Sequence, residues 1–386
     1  MQSFHQFIPT RLFFGCGSIK KLGQIELPGK KALIVISAGV SMRRFGYLDT
    51  VTSLLEKQGA ECVIFDKILP NPIKDHVMEA AALCRAEGCD FVVGLGGGSS
   101  IDSAKSIAVM ACNEGDYWDY IGSGSGKGMA PVGGALPIIA ITTTAGTGTE
   151  IDPWTVVTHN NEKIGFGFDA TFPVVSIVDP ELMLSVPAML TAYQGFDAFF
   201  HAAEGYIAST ATPISELYSL KSIELIDKSL PTAVADGSNV EARSDVALAN
   251  TLAGMVESTS SCTSEHSLEH ALSAFHPELP HGAGLIAISL AYFRHFAKVC
   301  PERLCTMATA MTGHPTNDPM AFVAALEELQ KACAVDKIAL SEWGVTPDEF
   351  TTLARNARST MGGLFAADRE DLCEEDVIKI YEASYR

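Results

Sequence analysis

Several things are missing from this chain of 386 residues. No apolar run approaches the roughly 20 residues that a helix needs to span a bilayer. The opening Met1-Gln2-Ser3-Phe4-His5 has neither the basic start nor the apolar stretch of a secretory leader, so the cytoplasm is the expected location. Positive charge is scarce: Lys and Arg total 27 against 46 Asp and Glu, a net charge of −19, with no dense basic run. Nucleic acid and anionic membranes are therefore not expected partners. The ten cysteines never form a CxxC pair. That excludes a zinc ribbon and argues against a disulfide framework. There are no internal repeats and no low-complexity tail.

What is present falls into two patterns. Up to about residue 184, short β-rich runs recur at 31–37 (KALIVIS), 61–66, 91–95, 137–143 and 174–179. Helix-compatible stretches at 42–59, 73–88 and 99–113 fill the first gaps. Unbroken apolar strands alternating with helices predict a parallel sheet covered on both faces. Two short runs, 155–159 and 163–168, read as a hairpin. The opening 4–14 is strand-like without an obvious partner, which suggests pairing with a second subunit. Beyond 184 the period changes to 3.6, with segments at 188–208, 215–225, 242–256, 265–275, 284–299, 320–334 and 347–358. The expected organisation is an α/β domain over 1–184 and an all-helical domain over 185–386.

Two loops in the first half have the chemistry of a phosphate cradle. Gly94-Leu95-Gly96-Gly97-Gly98-Ser99-Ser100 leaves a buried strand and opens a helix. Glycines there admit close backbone approach, and the helix N-terminus favours an anion. Ser99 is expected to cap that helix and to donate to a phosphate. Thr142–Glu150 (TTTAGTGTE) follows the next strand, at the carboxyl end where open parallel sheets bind ligands. Together the loops point to a dinucleotide. At the end of 31–37 stands Ser37, not the carboxylate that holds ribose hydroxyls, with Arg43 and Arg44 close behind. This favours NADP over NAD. The GSGSGK at 122–127 has the wrong spacing for a nucleoside-triphosphate loop.

The second half carries metal-type residues at helical spacing. Asp197 and His201 are four apart, His266 and His270 are four apart, and His281 follows Pro280. Residues at i and i+4 share a helix face. Asp197, His201, His266 and His281 offer four ligands for Fe²⁺ or Zn²⁺ and leave a fifth position for a substrate oxygen. His270 becomes an orienting group or a proton relay, although it and His266 can exchange roles. Cys262 lies close to His266, and buried thiols usually behave as small hydrophobes.

At this point the motifs coincide with a family. GGGSSIDSAK at 96–105, TTTAGTGTE at 142–150, GFDAFFHAAEGY at 195–206 and EHSLEHALSAFHPELPHGAG at 265–284 resemble the signature blocks of the iron-dependent (group III) alcohol dehydrogenases over essentially the full length. The resemblance implies a Rossmann-like dinucleotide-binding domain followed by an all-α metal-binding domain, the dehydroquinate synthase-like architecture. It implies metal ligation by Asp197, His201, His266 and His281. It also implies cofactor contacts by Gly97, Gly98, Ser99, Asp102, Thr143, Thr144 and Lys163, with Asp102 at the nicotinamide end and Lys163 near its ribose. Asp102 and His270 become the catalytic candidates, and the N-terminal strand a homodimer contact.

Two departures bear on the substrate. The segment before His266 is often apolar and glycine-rich in the family, whereas here Glu257–Glu265 is polar (ESTSSCTSE). Trp154 is bulky where a smaller residue is common. With Trp154, Cys262 and His270 as pocket residues, the expectation is a small, polar primary alcohol and its aldehyde, of the lactaldehyde, hydroxypropionaldehyde or sulfoacetaldehyde type. The alternatives are a dehydroquinate synthase-like lyase, for which a Lys/Arg cluster near the metal is missing, and a non-catalytic scaffold, which has no need of the ligand set.

Overall fold

A computed structural model describes residues 3–386; Met1 and Gln2 of the opening stretch lie outside the described residues. Along the chain come β1 (Arg11–Phe14), β2 (Lys31–Ser37), α1 (Ser41–Arg44), α2 (Tyr47–Glu56), β3 (Glu61–Ile68), α3 (Lys74–Glu87), β4 (Phe91–Gly96), α4 (Gly98–Cys112), β5 (Ile138–Thr142), β6 (Thr155–His159), β7 (Glu162–Phe166) and β8 (Val175–Val178). Ten helices follow: α5 (Ala188–Ile207), α6 (Pro213–Ala235), α7 (Val240–Thr259), α8 (Ser264–Phe275), α9 (His281–Val299), α10 (Pro301–Thr312), α11 (Met320–Ala332), α12 (Phe350–Thr360), α13 (Gly362–Ala366) and α14 (Glu374–Ser384). Two compact units result. One holds Ile8–His159 and Ile164–Ser185; the other holds Val186–Arg386, the hairpin tip Asn160–Lys163 and residues 3–7.

The α/β unit is built on a six-stranded parallel sheet in the order β1-β8-β5-β4-β2-β3, with β6 and β7 as a separate hairpin. Strand β2 shows why the sheet is parallel and covered: Ala32 to Ile36 are all fully buried, so neither face meets water. From β2 the chain goes first to β3 on one side and then to β4 on the other. That reversal opens a crevice at the carboxyl ends of β2 and β4. Gly96 of β4 pairs with Thr142 of β5, so the two glycine-bearing loops start side by side.

The N-terminal strand corrects one expectation. Arg11–Phe14 pairs within the chain, Arg11 opposite Val175 through Phe14 opposite Val178. A parallel partner far along the sequence leaves no local trace, which is why the strand looked unpartnered. It remains an edge strand.

In the helical unit the core is aromatic. Phe199 stacks on Phe322 with centroids 6.0 Å apart, and Phe200 on Phe293 at 6.2 Å. Burying each such ring contributes about 1.5–3 kcal/mol. Asp197, His201 and Glu204 are buried on the same helix α5. No described helix is long and apolar enough to cross a membrane.

Candidate metal and dinucleotide sites

In the helical unit three elements converge. Helix α5 supplies Asp197 and His201 on one face, α8 supplies His266 and His270, and α9 begins at His281. The start of α9 is pressed against α5: a Cβ on Gly282 would lie 2.1 Å from the Tyr193 carbonyl oxygen, so only glycine allows the approach that brings His281 to Asp197. Asp197 Oδ1 lies 3.4 Å from His281 Nε2, 3.5 Å from His266 Nε2 and 3.7 Å from His201 Nδ1. Asp197 Oδ1 and His266 Nε2 are buried and make no hydrogen bond. Buried polar atoms left without partners cost free energy, and the spacing says what satisfies them. Tetrahedral donors at 2.0–2.2 Å from a common ion stand about 3.3–3.6 Å apart. The set therefore fits a divalent cation.

Carboxylates stand behind the imidazoles. Glu204, fully buried one turn after His201, bonds His266 Nδ1 and also accepts from the Thr263 N–H at 2.8 Å and the Thr263 hydroxyl at 3.0 Å. Glu269, also fully buried, bonds His281 Nδ1 and lies 3.4 Å from Lys163 Nζ, which donates to Ser273 Oγ at 2.9 Å. An ionised carboxylate only accepts, so each Nδ1 carries the proton and each Nε2 presents its lone pair to the centre. Neither glutamate stands out in the sequence. The available signal is position: Glu204 lies three residues after His201 and Glu269 three after His266, on the helix faces that carry the histidines.

Close packing of carboxylates and imidazoles shifts the charges of the ion-free site. Burial alone would raise the Asp197 carboxyl, but the imidazoles of His201, His281 and His266 outweigh it and hold the group well below the usual carboxylate range. His266 is depressed by burial, but Glu204, Cys262 and Asp197 together outweigh that and hold it well above an ordinary imidazole. His270 goes the other way: burial, then Lys163 and its neighbouring histidines, hold it well below.

Placement of the sequence-derived residues is uneven. Asp197, His266 and His281 form one group whose ligand atoms are mutually within 4.8 Å; His201 falls in a second with Cys262 and His266, and His270 in a third with Glu269 and His281. Lys163, at the hairpin tip, sits against Glu269 and Ser273. The polar run before His266 mostly serves the fold. Ser258, Thr259 and Ser260 bond backbone carbonyls, while Thr263 and Ser264 bond Glu204, Tyr292 and Asp368. Those hydroxyls are engaged within the helical unit.

In the α/β unit the two loops lock together. A Cβ on Gly98 would lie 2.4 Å from Thr147 Cγ2, and one on Gly97 3.0 Å from Thr144 Oγ1. The Thr143 N–H donates to the Gly96 carbonyl at 2.9 Å. Ser99 does not cap α4: Gly97 occupies that position, and the Ser99 hydroxyl donates to the Pro70 carbonyl. Asp102 accepts from Thr149 Oγ1 at 2.6 Å and from the Val156 N–H at 2.9 Å, and burial pushes its carboxyl up to about 6 against the pull of Lys105. Lys105, which sequence reading passed over, is fully buried. Its ammonium donates to Thr149 Oγ1 at 2.6 Å, the Trp154 carbonyl at 2.6 Å, the Asp152 carbonyl at 2.9 Å and Asp152 Oδ1 at 3.0 Å. The residues that hold the second loop are thus satisfied within the fold. Trp154 itself is 42% exposed in this unit. Ser37 ends β2, and Arg43 pairs with Asp66 at 2.7 Å.

Comparison with known proteins agrees with both halves. The family model for iron-containing alcohol dehydrogenase matches residues 9–180, and that for the C-terminal part of the Fe-containing alcohol dehydrogenase family matches 191–385. The chain is 33% identical to a 1,3-propanediol dehydrogenase of Klebsiella pneumoniae, with 99% of each chain covered, and 33% identical to an NAD-dependent methanol dehydrogenase of Bacillus methanolicus, covering 91% of this chain and 92% of that one. Among solved structures, an archaeal halo-thermophilic alcohol dehydrogenase from a Red Sea brine pool superposes with a TM-score of 0.95 at 33% identity, covering 100% of this chain and 99% of the other. The chain belongs to the iron-containing alcohol dehydrogenase family, whose members are metal-dependent oxidoreductases of alcohols and aldehydes.

Proposed function

We propose that this enzyme interconverts a small, polar primary alcohol and its aldehyde with NAD(P), with residues 1–184 as the dinucleotide domain and 185–386 as the metal-binding catalytic domain. The observation that carries the reading is the partnerless pair Asp197 Oδ1 and His266 Nε2, faced by His281 at cation spacing. Asp197, His201, His266 and His281 hold Fe²⁺ or Zn²⁺, and Glu204 and Glu269 fix the tautomers of His266 and His281. When bound, the ion supplies Lewis acidity toward the substrate oxygen, and the nicotinamide gives or takes the hydride. His270, whose buried Nδ1 has no hydrogen-bond partner, relays the proton of the substrate hydroxyl. The dinucleotide lies on Gly97, Gly98, Ser99, Thr143 and Thr144. Asp102 fixes the loop beneath the nicotinamide, and Lys163 holds Glu269 toward His281.

Short hydroxyaldehydes and diols, including lactaldehyde and hydroxypropionaldehyde, are the proposed substrates; the likeness to a 1,3-propanediol dehydrogenase supports them. Ser37, with no carboxylate for the ribose hydroxyls, supports acceptance of NADP. The free edge of β1 supports a homodimer.

The test is aldehyde-dependent oxidation of NADH and NADPH by protein stripped of metal and reloaded separately with Fe²⁺ or Zn²⁺. Turnover restored only by metal is expected. Because the metal contributes several kcal/mol to the transition state, His266→Ala should lose metal and roughly a thousandfold in rate while still binding dinucleotide. Turnover in metal-free buffer, or none under any combination, would overturn the reading.

A further inference from the structure

Beside the Asp197 group lies a second set of donors that the alcohol-dehydrogenase ligand set does not include. Glu257 sits in the last turn of α7, and Cys262 in the short connection to α8. One ring nitrogen each of His201 and His266 and the Cys262 sulfur are mutually within 4.8 Å. His201 Nε2 lies 3.6 Å from Glu257 Oε1, and Cys262 Sγ lies 3.9 Å from Glu257 Oε2. All four side chains are withdrawn from water: Cys262 is 8%, His201 5% and His266 3% exposed, and the Glu257 side chain 12%. The open donor of this set is the one it shares with its neighbour, 3.5 Å from Asp197 Oδ1. His266 Nδ1 is taken by Glu204, and Nε2, buried, makes no hydrogen bond.

The chemistry of this donor set differs from that of its neighbour. Asp197 and His281 with shared imidazoles make an oxygen–nitrogen site that can hold Fe²⁺, Mn²⁺ or Zn²⁺ and has no soft donor to select among them. A thiolate, two imidazoles and a carboxylate make a tetrahedral set in which the sulfur favours Zn²⁺ over harder ions. Both sets need His266 Nε2, the one nitrogen that Glu204 leaves open, so one ion excludes the other.

We propose that Cys262, Glu257, His201 and His266 form an alternative, zinc-selective metal position that overlaps the iron position, so that Zn²⁺ competes with Fe²⁺ by moving onto the sulfur side. On binding, the thiol gives its proton to solvent and a Zn–S bond forms, with no change of oxidation state. The inference rests on the reading of Asp197, His201, His266 and His281 as metal-binding.

The experiment is X-ray absorption at the zinc edge on zinc-loaded full-length protein, with zinc and Fe²⁺ affinities measured by equilibrium dialysis for the wild type, Cys262→Ser and Cys262→Ala. A sulfur scatterer at about 2.3 Å beside nitrogen and oxygen at about 2.0–2.1 Å is expected in the wild type and should vanish in both variants. Even orienting partners of metal ligands account for roughly 10–100-fold in affinity, so loss of the sulfur should weaken zinc at least about tenfold while Fe²⁺ binding stays within about twofold. If the wild type binds zinc with nitrogen and oxygen scatterers alone, or binds Fe²⁺ but no zinc, this inference falls and the proposed function stands. If it binds neither ion, both fall. A variant that loses Fe²⁺ along with zinc would show Cys262 to be structural and would also overturn the proposal.

Discussion

The two candidate sites treat buried polarity in opposite ways. In the α/β unit, Asp102, Lys105, Thr149 and Asp152 are buried and close on one another: each carboxylate has donors, and the ammonium has four acceptors. In the helical unit the burial is as deep, yet Asp197 Oδ1 and His266 Nε2 lie 3.5 Å apart and make no hydrogen bond. A network that satisfies itself is scaffolding, and its product is the shape of a loop. A network that leaves lone pairs converging at ion spacing is a binding site, because only a ligand completes it.

The largest expected effect tests the scaffolding side. Lys105→Met would strand the Asp152 carboxylate, which is 1% exposed, and remove the counter-charge of Asp102. Removing one partner of a buried pair costs roughly 3–5 kcal/mol, so denaturant unfolding should show a loss in that range while the folded fraction keeps its metal. A loss under about 1 kcal/mol would mean that the network does not close as described.

Next in size is the orienting layer of the helical site. Glu204→Gln keeps the shape but no longer demands a proton on His266 Nδ1, and metal affinity should fall roughly 10–100-fold with little change in unfolding midpoint of the metal-free protein. Equal loss of both would make Glu204 a packing residue.

A smaller effect follows pH. Asp368 accepts from the Ser264 N–H at 3.1 Å at the start of α8, and burial pushes its carboxyl up to about 7. The folded chain thus holds a proton that the unfolded chain has already released. Its contribution to stability falls as pH rises from about 4 and is fully lost above about 7. Thermal midpoints of metal-free protein across this window should decline less in Asp368→Asn than in wild type; parallel curves would refute the assignment.

The smallest expected change is in cofactor preference. Ser37→Asp should move the ratio of kcat/KM values toward NADH over NADPH, by roughly tenfold for a charge-assisted pair of about 1.5 kcal/mol. An unchanged ratio would place Ser37 away from the ribose.

How much of this was legible in the sequence depends on how local each signal is. Strand β2 spans the residues its apolar run predicts, 31–37, because continuous burial and β-branching leave a compact trace. The expected helix over 42–59 is instead two, broken at Gly46, whose φ of +72° no helix continues through. Helix α10 leaves no separate trace because a single residue divides it from α9, Cys300 closing one helix and opening the next ahead of Pro301. Helix α14 also went unread. The i,i+4 pairs at 197/201 and 266/270 are visible because helical spacing converts directly into a shared face. Glu204, Glu269 and Lys105 were not, since a single charged residue in a helix normally signals a solvated face. Only tertiary packing shows these three to be buried.

The hairpin tip has a consequence in time. Lys163 meets Glu269 across 106 residues of chain. At a synthesis rate of about 5–20 residues per second, Lys163 leaves the ribosome some 5–20 seconds before its carboxylate partner exists. The six-stranded sheet can assemble in that interval, while the tip stays without the residues that will bury it. Cutting the gene between the two halves would make that wait permanent.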